Sequence, residues 1–259
     1  MSLEITTRDG WAELVLADPP RNVLQVALLQ EMVAALDELA AADAPLLLIR
    51  ARGRHFSTGY PIGDIPEEIF HEDPLVRAAT PFEMVMQRLT DYPAPVVMAV
   101  QGDAWGGAVE MLSCADIRVA AQGVRVALTP VRLGLIYSHT GLRRLLRTLG
   151  SPLLREMVLT GLPVAAERLE RCGFFARVTA PQELEDCATQ LMNALLHGAP
   201  GALRGTRRVL RILEETESLD KELLAEIARL RHDSRLSGEF RRAREAFLAG
   251  RPSPFLPDD

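Results

Sequence analysis

Apolar positions along the first half of the chain recur with two different periods. Glu4-Ile5-Thr6-Thr7 and Ala12-Glu13-Leu14-Val15-Leu16 flank Asp9-Gly10, a favoured turn pair, and predict a hairpin. Asp18-Pro19-Pro20-Arg21-Asn22 interrupts it. From Leu28 to Ala41 the spacing becomes helical, with Leu29, Met32, Val33, Leu36 and Leu39 on one face. Pro45 then precedes Leu46–Ala51, a continuous apolar run typical of a strand buried on both faces. Helical spacing returns over Pro81–Leu89, stops at Pro93 and Pro95, and gives way to a second buried strand, Val96–Val100. A short helix over Val109–Ser113 and strands over Ile117–Ala121 and Val124–Leu128 follow. Strand, helix and strand alternating at this spacing imply an α/β core with right-handed crossovers.

Beyond about Gly141 the strand signal nearly vanishes. Helices are predicted over Leu142–Leu149, Pro152–Thr160, Ala165–Arg171, Pro181–His197, Gly201–Thr216, Leu219–Leu230 and Ser237–Ala249, with Phe175–Val178 as a last strand. The chain therefore divides into an α/β core, residues 1–195, and a helical C-terminal region, residues 196–259. The acidic stretch from Pro66 to Asp73 reads as a mobile loop.

Composition narrows the partners. The 259 residues are 48% hydrophobic, enough for one large core. A net charge of −6 argues against nucleic acid and anionic membranes. No basic segment leads into an apolar one, so no signal peptide is expected, and no apolar run reaches the ~18–20 residues of a membrane span. A cytoplasmic protein is expected. Cys114, Cys172 and Cys187 lack metal-ligand spacing and read as reduced structural thiols, so no metal site is expected.

Three glycine-containing loops carry the candidate chemistry, and each follows a predicted strand. They are His55–Ile65, the turn through Trp105-Gly106-Gly107, and Leu128–Gly141. Paired glycines let backbone approach a ligand closely, and a helix starting there offers unpaired N–H groups. Such groups stabilise negative charge developing on a carbonyl oxygen. Each loop alone is a common turn; their order and spacing together are far more specific.

Asn22-Val23-Leu24, Phe56-Ser57-Thr58-Gly59, Trp105-Gly106-Gly107-Ala108-Val109-Glu110, Cys114-Ala115-Asp116-Ile117-Arg118-Val119-Ala120 and Thr129-Pro130-Val131-Arg132-Leu133-Gly134-Leu135 give the chain its resemblance to a known family. From Ile5 to Phe255 it resembles the crotonase superfamily, the enoyl-CoA hydratases and isomerases. The resemblance implies the crotonase fold, repeated ββα units in a spiral core, with the C-terminal helices used to build a homotrimer or homohexamer. It implies an acyl-CoA thioester substrate and no cofactor other than that coenzyme A. The thioester oxygen would be held by the backbone N–H groups of Tyr60 and Gly107. Arg21, Val23, Ser57, Gly59, Ile62, Trp105, Gly106, Pro130, Val131 and Leu135 would line the substrate site.

Departures from the family pattern bear on the reaction. Family hydratases use two carboxylates. Glu110 matches the first, but Val131 stands where the second would follow Pro130, so a paired acid/base site lacks a partner. One branch, which decarboxylates methylmalonyl-CoA, shares that pattern and the tyrosine three residues after Gly134, Tyr137. Decarboxylation needs an oxyanion hole more than acid/base groups, and Tyr137 would orient the substrate carboxylate. Tyr60 departs from the branch, which has a histidine there. Hydration or isomerisation by Glu110 alone, decarboxylation on an acyl carrier protein, and a degenerate acyl-CoA binder remain alternatives. Glu110 can equally be a structural carboxylate at a helix start, and Tyr137 a packed loop residue. His139 reads as a surface residue, His55 and Asp64 as loop-shaping, Trp105 as a pocket wall. Arg21 either faces CoA phosphates or is solvated, and Arg207 and Arg208 read as a solvated helix face.

Overall fold

The computed structural model describes residues 2–8, 10–61, 68, 74–216, 220–251 and 254–255. Ile62, Asp64 and nearly all of the acidic stretch 66–73 lie outside them.

Strands β1 (Leu3–Arg8) and β2 (Trp11–Leu16) form the expected antiparallel hairpin, with Leu3 opposite Leu16. From β2 onward a six-stranded sheet runs parallel through β3 (Leu46–Ala51), β5 (Val96–Val100), β7 (Ile117–Ala121) and β10 (Arg177–Thr179). Every residue of β2 and β5 is buried: β5 is a continuous apolar run, and β2 is one broken only by Glu13, which pairs with Arg50. Helix α7 (Leu184–Leu196) packs on β3, β5 and β7, while α1 (Val26–Ala41) and α3 (Pro81–Asp91) pack on each other.

A second sheet, order β4-β6-β8-β9, is built from much shorter strands: β4 (His55–Ser57), β6 (Asp103–Trp105), β8 (Arg125–Ala127) and β9 (Val164–Ala165). Only β8 is legible from sequence. Strands of two or three residues show no hydrophobic period, and their pairing is set by partners far along the chain. The first three run parallel, so their C-terminal ends lie on one side. All three glycine loops leave from those ends.

Several boundaries differ from the sequence reading. Helix α4 (Gly107–Ser113) starts at the second glycine of the turn, two residues early. The helices expected over 142–149 and 152–160 form one element, α5 (His139–Thr160), broken at Gly150 by φ 70° and ψ 160°. Its start shifts to His139 because the Ser138 hydroxyl caps it, accepting the Gly141 N–H at 3.1 Å. Strand β10 begins at Arg177, since Phe174 and Phe175 are drawn into the core, where their rings meet edge to face at 5.1 Å. A short helix, α2 (Pro74–Ala78), follows the acidic stretch, and α6 (Ala166–Arg171) follows β9.

Helices α8 (Pro200–Glu215), α9 (Lys221–Leu236) and α10 (Gly238–Leu248) complete the chain. Arg207 corrects the solvated-face reading. Its side chain is only 11% exposed and bonds Asp116 (2.8 Å) and the carbonyls of Leu89, Thr90 and Tyr92 at the end of α3. A helix end leaves such carbonyls without partners, and a guanidinium fits them. Arg208 pairs with Glu226 at 2.7 Å. Cys114 and Cys187 are buried, Cys172 is exposed, and all three are free. Among the described residues no helix is long and apolar enough to cross a membrane, and no side-chain group could hold a metal ion.

Candidate active site

The first loop is fixed by Asn22, fully buried with φ 46°. Its amide donates to the carbonyls of Arg52 (2.8 Å) and His55 (2.9 Å), and its Oδ1 accepts the Asp18 N–H. The Thr58 N–H reaches the Arg21 carbonyl and the Leu24 N–H the Gly59 carbonyl, each at 2.9 Å. Arg21 and Val23 thus flank this loop, with the Arg21 side chain exposed. Buried Ser57 accepts the Gly59 N–H at 3.1 Å.

Gly59 has φ 73°, and a Cβ there would run into the Trp105 carbonyl and sit 3.1 Å from the Gly107 nitrogen. The first two loops therefore touch through bare backbone. Gly106 gives its N–H to the Ala127 carbonyl at 2.9 Å, tying the second loop to β8. The next amides, Tyr60 and Gly107, have no acceptor among the described residues. These are the two N–H groups that the family resemblance implies, and the close approach of Gly59 to the Gly107 nitrogen brings their loops together.

Glu110 lies one turn into α4 and is 1% exposed. Its Oε1 takes Nη1 of Arg144 at 2.6 Å, and its Oε2 accepts the Tyr137 hydroxyl at 2.9 Å. The same Nη1 lies 2.8 Å from Oε2 of Glu83, whose Oε1 accepts the Thr140 hydroxyl at 2.8 Å. Gly141 makes room for this cluster: a Cβ would strike the Tyr137 ring and lie 2.6 Å from Glu110 Oε2. Burial pushes the Glu110 carboxyl up to about 7; Arg144 pulls it down and Glu83 pushes it further up. Burial likewise raises the Tyr137 and Tyr60 phenols well above their ordinary value, and Glu110 adds to both shifts. The Tyr60 ring packs at 5.0 Å on Phe82, and its buried hydroxyl has no hydrogen-bond partner among the described residues.

The remaining candidates fall around this centre. Trp105 ends β6, half-buried, with the Arg125 guanidinium 6.0 Å from its ring. Pro130 and Val131 sit on a 3₁₀ turn, Pro130–Leu133, that stops at left-handed Gly134; Val131 is 42% exposed. Leu135 is half-buried, and His139 is exposed at the first turn of α5. His55 acts through its carbonyl, on Asn22 and Gln101.

Tyr137 stands beside Glu110, its hydroxyl donating to Oε2. Glu83 and Arg144 were missed altogether. Thr80-Pro81-Phe82-Glu83 reads as a helix cap, and Thr80 Oγ1 does accept the Glu83 N–H. Arg144, in a run with Arg143 and Arg147, reads as solvated. The available signal was helical spacing, which puts Arg144 on the inward face with Gly141 and Leu145.

A sequence profile of the enoyl-CoA hydratase/isomerase family matches residues 6–256. The chain belongs to this family. Its members act on acyl-CoA thioesters, and two neighbouring free amides suit a thioester oxygen. The chain is 27% identical over 241 residues to the methylmalonyl-CoA decarboxylase of Escherichia coli strain K12, covering 91% of this chain and 90% of the relative. It is 30% identical over 175 residues to a "probable enoyl-CoA hydratase" of Bacillus subtilis strain 168, 67% of each chain. Among solved structures, a Hyphomonas neptunium protein described as of the enoyl-CoA hydratase/isomerase family superposes with a TM-score of 0.87 at 25% identity. That superposition covers 99% of this chain and 98% of the other.

Proposed function

We propose that this family member decarboxylates a short α-carboxylated acyl-CoA of the methylmalonyl type. The observation that carries this reading is the commitment of Glu110: one oxygen is held by Arg144, the other by Tyr137, and Val131 follows Pro130. The carboxylate that would follow Pro130 and work with Glu110 on a water is therefore missing.

Decarboxylation makes lighter demands. The Cα–carboxylate bond breaks, its electron pair becomes the thioester enolate, CO2 leaves, and Cα takes up a proton that comes ultimately from solvent. The Tyr60 and Gly107 amides would hold the enolate oxygen, each lowering the barrier by about 3–4 kcal/mol. Val131 presents methyl groups where a glutamate would repel the substrate carboxylate. No cofactor beyond the coenzyme A of the substrate enters this reaction. Similarity to the Escherichia coli decarboxylase along nine-tenths of both chains supports the reading.

One observation favours a second reading. Burial holds Glu110 near neutrality, where a carboxyl can both give and take a proton, so hydration or isomerisation by Glu110 alone is the rival. A panel of malonyl-, methylmalonyl-, ethylmalonyl- and crotonyl-CoA, each followed by mass spectrometry, separates the two. CO2 release from a malonyl-type thioester is expected. Hydration of crotonyl-CoA with no CO2 from any malonyl thioester overturns the proposal, and binding without turnover identifies a degenerate member. The same acyl groups on an acyl carrier protein test the carrier, with CoA the expected one. Exposed Leu210, Leu213, Leu224 and Phe240 on the C-terminal helices support a homotrimer or homohexamer, which light scattering measures.

A further inference from the structure

One nitrogen of Arg144 serves two carboxylates. Nη1 is 2.6 Å from Glu110 Oε1 and 2.8 Å from Glu83 Oε2. A single positive charge cannot neutralise both, and water does little to help. Side-chain exposure is 15% for Arg144 and Glu83 and 1% for Glu110. Two carboxylates this close favour a proton on one of them, and the more deeply buried one accepts it at the lower cost. Glu83 is the better solvated partner. It keeps the Thr140 hydroxyl and faces an open cavity of about 300 Å³ between α2, α3 and the start of α5.

The direction of the Tyr137 hydrogen bond depends on that proton. When Glu110 is ionised it can only accept, so the phenol donates to Oε2 and has no proton for any other group. When Glu110 is protonated, its own O–H can donate to the phenol oxygen. The phenol O–H is then free to turn toward an incoming anion. We propose that Glu83 and Arg144 are positioning residues that decide which way the Tyr137 hydroxyl points, toward Glu110 or toward the carboxylate of the substrate. The identity of that anion rests on the decarboxylase reading; the switch itself rests on the cluster.

The charged and titratable groups that face Glu110 among the described residues come from every side. They are Arg144 from α5, Glu83 from α3, Tyr137 from the loop before α5, Tyr60 from the loop after β4, and Cys114 from α4's own end. Of these, Glu83 and Arg144 act on Glu110 with opposite sign, and this gives the test its form.

The test is the pH profile of kcat/KM on the best malonyl-type thioester, for the wild type and for Glu83→Gln, Arg144→Gln and Arg144→Lys. Activity that needs protonated Glu110 is lost as pH rises through its titration. Removing the negative Glu83 makes Glu110 easier to ionise, so the alkaline limb moves to lower pH by about one unit, roughly tenfold in rate at a fixed alkaline pH. Removing the positive Arg144 moves it to higher pH, and Arg144→Lys restores the wild-type limb. A purely structural role lowers kcat without shifting the limbs in opposite directions, and that result overturns the proposal. Should Arg144→Gln fail to fold, the near-isosteric Glu83→Gln decides alone: an unmoved limb rejects the switch. Infrared difference titration reads the Glu110 carboxyl band directly, identified by its loss in Glu110→Gln. A band that shifts as expected while no malonyl thioester loses CO2 sinks the decarboxylase reading and upholds the switch. CO2 release with band and limb unmoved sinks the switch alone.

Discussion

Glu110 gives up the hydration that every carboxylate prefers, and the folded protein holds it against that preference. Its folded titration near 7 lies well above the ~4.3 of an unfolded glutamate. Below about pH 4 the group is neutral in both states and burial costs little. Between about pH 4 and 7 the unfolded chain ionises while the folded one resists, so this stability contribution is lost across that range, on the order of 3 kcal/mol by pH 8. Glu110→Gln keeps the shape and stays neutral. Urea unfolding at pH 5 and pH 8 is expected to show the variant gaining on the wild type as pH rises; two parallel pH dependences would refute the cost. Gly141 is the neighbouring constraint. A methyl there meets the Tyr137 ring and Glu110 Oε2. Gly141→Ala is therefore expected to cost about 1–3 kcal/mol in thermal unfolding and to cut turnover as well, because the phenol can no longer reach the carboxylate.

At the scale of elements, the site belongs to the small sheet, and Gly59 is where its first two loops meet. Gly59→Ala combines a left-handed φ with a collision at the Trp105 carbonyl, so it must part the loops. Loss of one oxyanion donor costs about 100-fold or more in kcat. That loss is expected with the circular dichroism spectrum unchanged, because the six-stranded sheet is untouched; full activity would show that the two amides do not act together. The two sheets also differ in how legible they are. Strands β3 and β5 stand out in the sequence because burial on both faces leaves the unbroken apolar runs Leu46–Ile49 and Val96–Val100, and β2 and β7 remain legible with a single charged residue each, Glu13 and Arg118. Strands β4 and β6 carry His55, Ser57 and Asp103 within three residues each, and no period survives. The family resemblance named the amides of Tyr60 and Gly107; glycine spacing accounts only for how closely their two loops approach. Glu83 and Arg144 were not legible, since each looks ordinary within its own helix and acquires a role only when α3, α4 and α5 converge.

At the scale of the whole molecule, the division into a core of 1–195 and a helical region of 196–259 meets a physical difficulty. Helix α8 is fastened to the core by arginines. Arg207 caps the end of α3 through three carbonyls and binds Asp116, which itself accepts the Val96 N–H at 2.7 Å. Arg211 pairs with Asp91, and Arg204 lies 3.6 Å from Asp43. Helix α3 carries Glu83 at its other end, so the C-terminal region braces the element that reaches the site. Removing residues 196–259 leaves those carbonyls and Asp116 without their guanidinium and uncovers the apolar surface on which Leu196 and Leu203 pack. Arg207→Leu alone is expected to cost about 3 kcal/mol, since several charge-assisted hydrogen bonds go at once and their partners stay half-buried. The truncated chain is expected to lose far more, appearing insoluble or without a cooperative melting transition. Differential scanning calorimetry of the full chain, Arg207→Leu and the truncated chain measures both effects. A truncated chain melting at the wild-type temperature would establish 1–195 as a self-sufficient domain; a single transition in the full chain, lowered in Arg207→Leu and absent after truncation, makes the C-terminal helices part of one folding unit with the site.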